Sequence, residues 1–261
     1  MAQLIPKVAL ESITTKSERD VARALIERLP ARTTVYHSYP WLRPERSDKS
    51  SGTPLRQGEA DFVVVDPRYG LLVLEVKGGI IEYDPIAHLW YRQLPDRRKD
   101  IKQPFEQAGR NMHALVDTIH QKLPFRSGLS FTFGYAVVFP DCDPRGAPPP
   151  GADPAIVLGA KDLSSIDQRL EEIFRRFCGG VGSRDLPRQV LDSIQQGLSP
   201  AFRLLPVLYR QIAQQEEALF RMTEDQERML DFLGSRDRAA SWRIGGLRED
   251  QIGDGARSAI R

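Results

Sequence analysis

Residues 58–79, GEADFVVVDPRYGLLVLEVKGG, constrain the fold of this chain more than any other stretch. Two runs of β-branched and aliphatic residues, apolar on both faces, flank Asp-Pro-Arg-Tyr-Gly. They are too short for helices and read as strands covered on both sides. Gly70 suits a left-handed position closing a three-residue loop, Pro67-Arg68-Tyr69. That loop sets the register. Asp66 faces Gly70, Val65 faces Leu71, Val64 faces Leu72, Val63 faces Val73, Phe62 faces Leu74 and Asp61 faces Glu75. Directly opposed side chains share a face with Cβ atoms ~4.5–5.5 Å apart. Lys77, two residues beyond Glu75, lies on the same face. An otherwise apolar hairpin therefore ends in two carboxylates and an ammonium group.

Opposed carboxylates at the rim of a buried sheet repel each other and resist desolvation. A cation relieves both costs. Oxygen donors without His or Cys favour Mg²⁺ or Mn²⁺ over zinc. Mg²⁺ takes one or two carboxylates and leaves its other positions to water and phosphate oxygens. A lysine beside such a water can orient it or stabilise charge on a phosphate. These are the parts for phosphodiester hydrolysis. Taken singly, each of the three residues is an ordinary solvated strand end. In mirrored register on a doubly apolar hairpin, they point to a site.

The rest of the first half supplies a scaffold. Residues 17–29 read as a helix with Ser17 as N-cap, Asp20 as a weak capping-box partner and Pro30 as the stop. Residues 33–39, TTVYHSY, read as a strand. Residues 40–57, rich in Pro, Ser, Gly and charge, read as a loop. Short strands are expected near 80–83 and 88–92, and QLPDRRKDIKQP as a basic loop. Pro104 opens a helix to about His120, with Phe105, Ala108, Met112, Leu115 and Ile119 at helical spacing. Residues 131–140 read as an inner strand and 156–158 as a short one. The fold class is α/β, a mixed central sheet flanked by helices. From about residue 161 helical patterns dominate, so the expected organisation is a domain over 1–160, a helical region over 161–234 and a poorly ordered tail over 235–261.

Asp61 followed by Glu75-Val76-Lys77 matches the D…(D/E)-x-K pattern of the restriction-endonuclease-like superfamily, the PD-(D/E)XK nucleases. More narrowly, residues 58–79 together with QPFEQAGRNMHAL resemble the nuclease-related domain known as NERD, over about residues 15–140. Ala60 stands where the proline of the superfamily's name would be. The resemblance implies a Mg²⁺- or Mn²⁺-dependent nuclease acting on nucleic acid, DNA above all. Asp61 and Glu75 would bind metal with the backbone carbonyl of Val76, and Lys77 would position water or stabilise charge. It further implies Glu18 on the first helix and Gln107 on the helix after the hairpin. Glu18 shares a helical face with Val21, Leu25 and Leu29, where it can orient a water or serve as a first-turn acid. Gln107 lies at the edge of the apolar stripe.

Basic residues could track a phosphate backbone: Arg92, Arg97, Arg98, Lys99 and Lys102 in one segment, Arg43, Arg46, Lys49 and Arg56 in another. Asp96 and Asp100 weaken the first set. His113 and His120, without a third ligand, read as ordinary helix residues. The chain's 37 basic and 35 acidic residues balance to +2, which neither demands nor excludes a nucleic-acid partner. Two isolated cysteines, Cys142 and Cys178, fit a reducing compartment. With no leader pattern and no long apolar run, the expectation is a soluble cytoplasmic protein with no membrane partner.

MTEDQERMLDFL, residues 222–233, resembles the segment ahead of the nucleotide-binding loop in superfamily 1 helicases, with Gln226 matching the adenine-contacting glutamine. No G-x-x-x-x-G-K-[ST] follows. A shortened relative, a split partner or a product of gene decay fits this pattern. An alternative function is a non-catalytic nucleic-acid-binding or adaptor module serving a superfamily 1 helicase in trans.

Overall fold

The hairpin read from the sequence is the middle of a six-stranded mixed sheet. The computed structural model describes residues 1–44, 55–122, 131–146, 148–149, 151–179 and 185–200, with 217, 219, 221, 224–229, 231 and 232 beyond them. In chain order the elements are β1 (Gln3–Ile5), α1 (Lys16–Arg28), β2 (Thr34–Pro44), β3 (Leu55–Asp66), β4 (Gly70–Val76), β5 (Ile80–Asp84), β6 (Leu89–Gln93), β7 (Arg98–Ile101), α2 (Pro104–Lys122), β8 (Thr132–Val138), β9 (Val157–Leu158), α3 (Ile166–Phe177) and α4 (Arg188–Leu198). The main sheet runs β1-β2-β3-β4-β8-β9, and β5-β6-β7 form a separate sheet. The β2–β3–β4 meander is antiparallel, whereas β4 pairs parallel with β8, reached by a crossover that includes α2.

Alternation along β4 explains why the hairpin is apolar on both sides. Leu72, Leu74 and Val76 enter one core with Val21 and Leu25 of α1 and Leu170, Ile173 and Phe174 of α3. Leu71 and Val73 enter the other with Met112, Leu115 and Ile119 of α2 and Val190, Ile194 and Leu198 of α4. The helical pattern that begins near residue 160 thus gives two helices that complete the cover of the same sheet. Residues Met1–Ala201 form one compact unit and Phe202–Arg261 another. In the second, the described residues are helical, Gln226 among them and exposed. The expected disorder of 235–261 lies outside the described residues, as do Arg46 and Lys49. Among the described residues no helix is long and apolar enough to cross a membrane.

Three local expectations are corrected. Residues 40–44 and 55–57 are not loop but continue β2 and β3 as a two-stranded ribbon, paired from Pro40↔Glu59 to Pro44↔Leu55. Their polar, proline-bearing composition hid a pairing made by backbone groups. The basic segment after β6 contains a strand, β7, whose Arg98–Ile101 pair with Gln93–Trp90. The first helix begins at Lys16 with Thr15 at its N-cap, so Ser17 is not the cap.

The register counted from the turn holds from Asp66↔Gly70 to Phe62↔Leu74. Gly70 has φ +135°, and a Cβ there would lie 2.1 Å from the Thr132 carbonyl oxygen, because β8 runs hard against the turn. Gly70→Ala is therefore expected to destabilise the fold by roughly 2–4 kcal/mol, combining backbone strain and a clash that no rotamer relieves. Denaturant unfolding of the two proteins measures it.

Candidate active site

The site forms where β4 ends. Glu75 and Val76 pair with Val137 and Val138 of β8, and Lys77 N donates to Val138 O at 2.9 Å, extending the strand line by one residue. On the other side both ladders skip Asp61. The β3–β4 ladder stops at Phe62↔Leu74, and the β2–β3 ladder passes from His37↔Phe62 to Tyr39↔Ala60. Opposite Asp61, Ser38 takes φ +49°, a conformation uncommon outside glycine. The expected Asp61–Glu75 backbone pair is replaced: Val76 N donates to Asp61 Oδ2 at 2.7 Å. In an extended residue N–H and C=O point to the same side, so the Val76 carbonyl faces the Asp61 edge.

Glu75 has no exposed surface. Lys77 Nζ donates to its Oε1 at 2.5 Å, and Asn111 Nδ2 to its Oε2 at 3.2 Å. Burial pushes the Glu75 carboxyl up to about 7; the adjacent Asp61 carboxylate adds to the shift and Lys77 opposes it. Burial likewise raises Asp61, against the Val76 N–H and Lys77. Lys77, whose side chain is largely buried, also donates to Gln107 Oε1 at 3.2 Å.

Glu18 reaches the same rim from the opposite face of the sheet. His37 Nε2–H donates to its Oε2 at 3.0 Å, and the His37 ring packs on Phe62, 5.0 Å between centroids. That hydrogen bond holds the Glu18 carboxyl below its usual range, and the charges of Glu18, Lys77 and Asp61 act on one another. The approach of α1 depends on two glycines. A Cβ at Gly78 would lie 1.9 Å from Ser17 Oγ, and Gly79 has φ +83°. Asp141 Oδ2 accepts from Ser17 Oγ (2.8 Å) and from Gly79 N (2.7 Å), tying α1 to the segment after Lys77. Ser17 is spent on this tie rather than on its own helix terminus.

All five candidate side chains, Asp61, Glu75, Lys77, Gln107 and Glu18, are thus brought together. Sequence reasoning missed His37, Asn111 and Asp141. Asn111 carried a signal, a lone amide on the apolar face between Ala108 and Leu115. The partners of the other two are remote in sequence. The basic residues are less concentrated. Arg43 pairs with Asp117 (3.0 Å), and Arg98 pairs with Glu82 (3.3 Å) while lying over Tyr91. Arg92 lies against Gly79 beside the site. His113 is exposed, and His120 packs against Phe131 and Phe133.

The metal-binding groups that Asp61, Glu75 and the Val76 carbonyl could offer are all oxygen, a set that suits a hard cation. Among the described residues no three His, Cys, Asp or Glu side chains could together hold a metal ion. Two carboxylates, the Val76 carbonyl and water or substrate oxygens are the donors available.

The family model described as the nuclease-related domain, NERD, matches residues 14–140. No curated protein and no solved structure gives a match.

The raised Glu75 carboxyl has a consequence for stability without metal. In the unfolded chain it ionises near the ordinary glutamate value of 4.5, in the folded protein at about 7. The folded state holds the proton more tightly, so this group's stabilising contribution is complete below the unfolded value and lost as pH rises through 7. In EDTA, the parent should lose stability relative to Glu75→Gln between pH 5 and pH 8, by on the order of 2 kcal/mol. Denaturant titrations of both proteins at the two pH values measure the difference; equal pH dependence would assign the shift elsewhere.

Proposed function

We propose that this chain, with its nuclease-related domain over residues 14–140, is a Mg²⁺- or Mn²⁺-dependent nuclease of the PD-(D/E)XK type that hydrolyses phosphodiester bonds of nucleic acid, DNA foremost. One observation carries the reading. The buried Glu75 carboxyl and Asp61 meet at the end of the central strand, with Lys77 on the same rim. Asp61, Glu75 and the Val76 carbonyl would hold the ion, which when bound supplies charge neutralisation at the phosphate and a more acidic water.

The remaining work falls to the chain's own groups. Lys77 Nζ, held between Glu75 Oε1 and Gln107 Oε1, orients the attacking water or meets the charge developing on the phosphate oxygens. Gln107 sets the direction of that ammonium group. Glu18, ionised and fixed by His37, is an acceptor for a water proton on the far side of the rim. As the bond from water oxygen to phosphorus forms, the bond to the departing strand's oxygen breaks.

One observation favours the alternative of a non-catalytic nucleic-acid-binding or adaptor module working with a superfamily 1 helicase in trans: Glu75 is fully enclosed and ion-paired. Incubation with labelled linear, circular and single-stranded DNA and with RNA, in Mg²⁺, Mn²⁺ or EDTA, separates the two. Cleavage should occur with either ion and vanish in EDTA. Lys77→Ala should lower the rate by about 10²-fold or more while nucleic-acid binding persists; unchanged cutting would remove the lysine from the mechanism. The pure chain should hydrolyse no ATP with or without DNA, since a helicase-like lead-in without a phosphate loop cannot cradle the nucleotide.

A further inference from the structure

Asn111 stands one turn beyond Gln107 on α2 and is buried. Its amide has three partners. Trp41 Nε1 donates to Oδ1 at 3.0 Å, while Nδ2 donates to the Glu59 carbonyl at 2.8 Å and to Glu75 Oε2 at 3.2 Å. An indole N–H only donates. Trp41 can therefore face only the oxygen of the amide, and this decides that the NH₂ end faces Glu75. Trp41 in turn is seated by Gly58, its partner across the ribbon. A Cβ at residue 58 would lie 2.4 Å from the indole ring. The ribbon, the start of β3 and the helix α2 thus converge on one oxygen of one carboxylate.

We propose that Asn111 and Trp41 are positioning residues for Glu75. Trp41 locks the Asn111 amide, and Asn111 holds Glu75 Oε2 so that the carboxylate's free lone pairs are turned toward Asp61. The proposal rests on the nuclease reading of this site. A buried asparagine serving only to fasten α2 to the sheet would be satisfied by Trp41 and the Glu59 carbonyl. Its second N–H instead goes to the carboxylate. A carboxylate offers about four lone-pair directions; Lys77 takes one through Oε1 and Asn111 takes one through Oε2. With the Asn111 contact gone, Oε2 loses its N–H donor while Lys77 still holds Oε1, and the terminal torsion of a glutamate is soft. Outer partners of metal-binding carboxylates matter through this kind of orientation.

The test uses the full chain and two variants. Trp41→Phe keeps an aromatic ring at this position and removes the indole N–H together with the part of the indole that lies over Gly58. Asn111→Leu keeps the branched shape at a somewhat larger volume and deletes both the donors and the acceptor, so either variant decides if the other does not fold. Three quantities are read: cleavage kinetics in Mg²⁺, calorimetric Mn²⁺ affinity without nucleic acid, and the melting temperature in EDTA. Both variants should lose about tenfold or more in kcat and in Mn²⁺ affinity, with KM for the nucleic acid within about twofold of the parent. They should do so at temperatures where each is fully folded. A folded variant that keeps kcat and Mn²⁺ affinity within about twofold overturns the proposal, as does a loss that merely follows the folded fraction. If the parent binds Mn²⁺ without cutting, the nuclease reading falls and the calorimetric arm alone decides the positioning role. A parent that neither cuts nor binds overturns both.

Discussion

A glutamate with no exposed surface, in the central strand of the sheet, is the constraint on which the rest of this structure depends. Removing a carboxylate from water costs several kcal/mol even after relaxation, and the Asp61 carboxylate lies beside it. The chain answers with donors rather than with exposure. Lys77 supplies a charge, Asn111 a neutral N–H, and the Val76 backbone satisfies Asp61. These donors offset only part of the cost, so burial and the Asp61 carboxylate still push the Glu75 carboxyl up to about 7.

The architecture brings groups to this point from both faces of one sheet. α2 delivers Gln107 and Asn111 from the side where Leu71 and Val73 are buried. α1 delivers Glu18 around the strand ends from the side of Leu72 and Leu74. The approach of α1 and the placement of Asp61 both involve local concessions by the backbone. Gly78 admits Ser17, Asp141 fastens the two segments, and Ser38 turns out of the β2–β3 ladder opposite Asp61. Strain and small residues gather at the place where chemistry is proposed, as is usual for functional sites.

The hairpin was legible because its information is local. The turn fixes the register, alternation fixes the faces, and together they put Asp61, Glu75 and Lys77 on one rim without any knowledge of other elements. Helix α2 was legible by its 3.6-residue period, with Phe105, Ala108, Met112, Leu115 and Ile119 all buried. What escaped was stabilised by distant partners. Ser17 reads as a helix cap until Asp141 is seen to claim its hydroxyl. The ribbon reads as loop because its composition is polar, whereas Trp41, Gly58 and Asn111 make it ordered from three separate segments. Strand β7 reads as charge until β6 offers a backbone edge.

The turn between Asp66 and Gly70 also governs which edits the gene can bear. Side chains alternate strictly along a strand, so a deletion or insertion of one residue at 67–69 would exchange the two faces of one strand against the other. Asp61 would then turn toward the α1 side while Glu75 kept facing α2. No substitution of similar size does comparable damage, because none moves so many side chains at once. The turn at 85–88 joins two strands that carry none of the five candidate side chains, and its Ile86 is almost wholly exposed. A change of length at 85–88 would displace Trp90 from the core without moving a candidate side chain, whereas in the hairpin the count of three residues is itself part of the site.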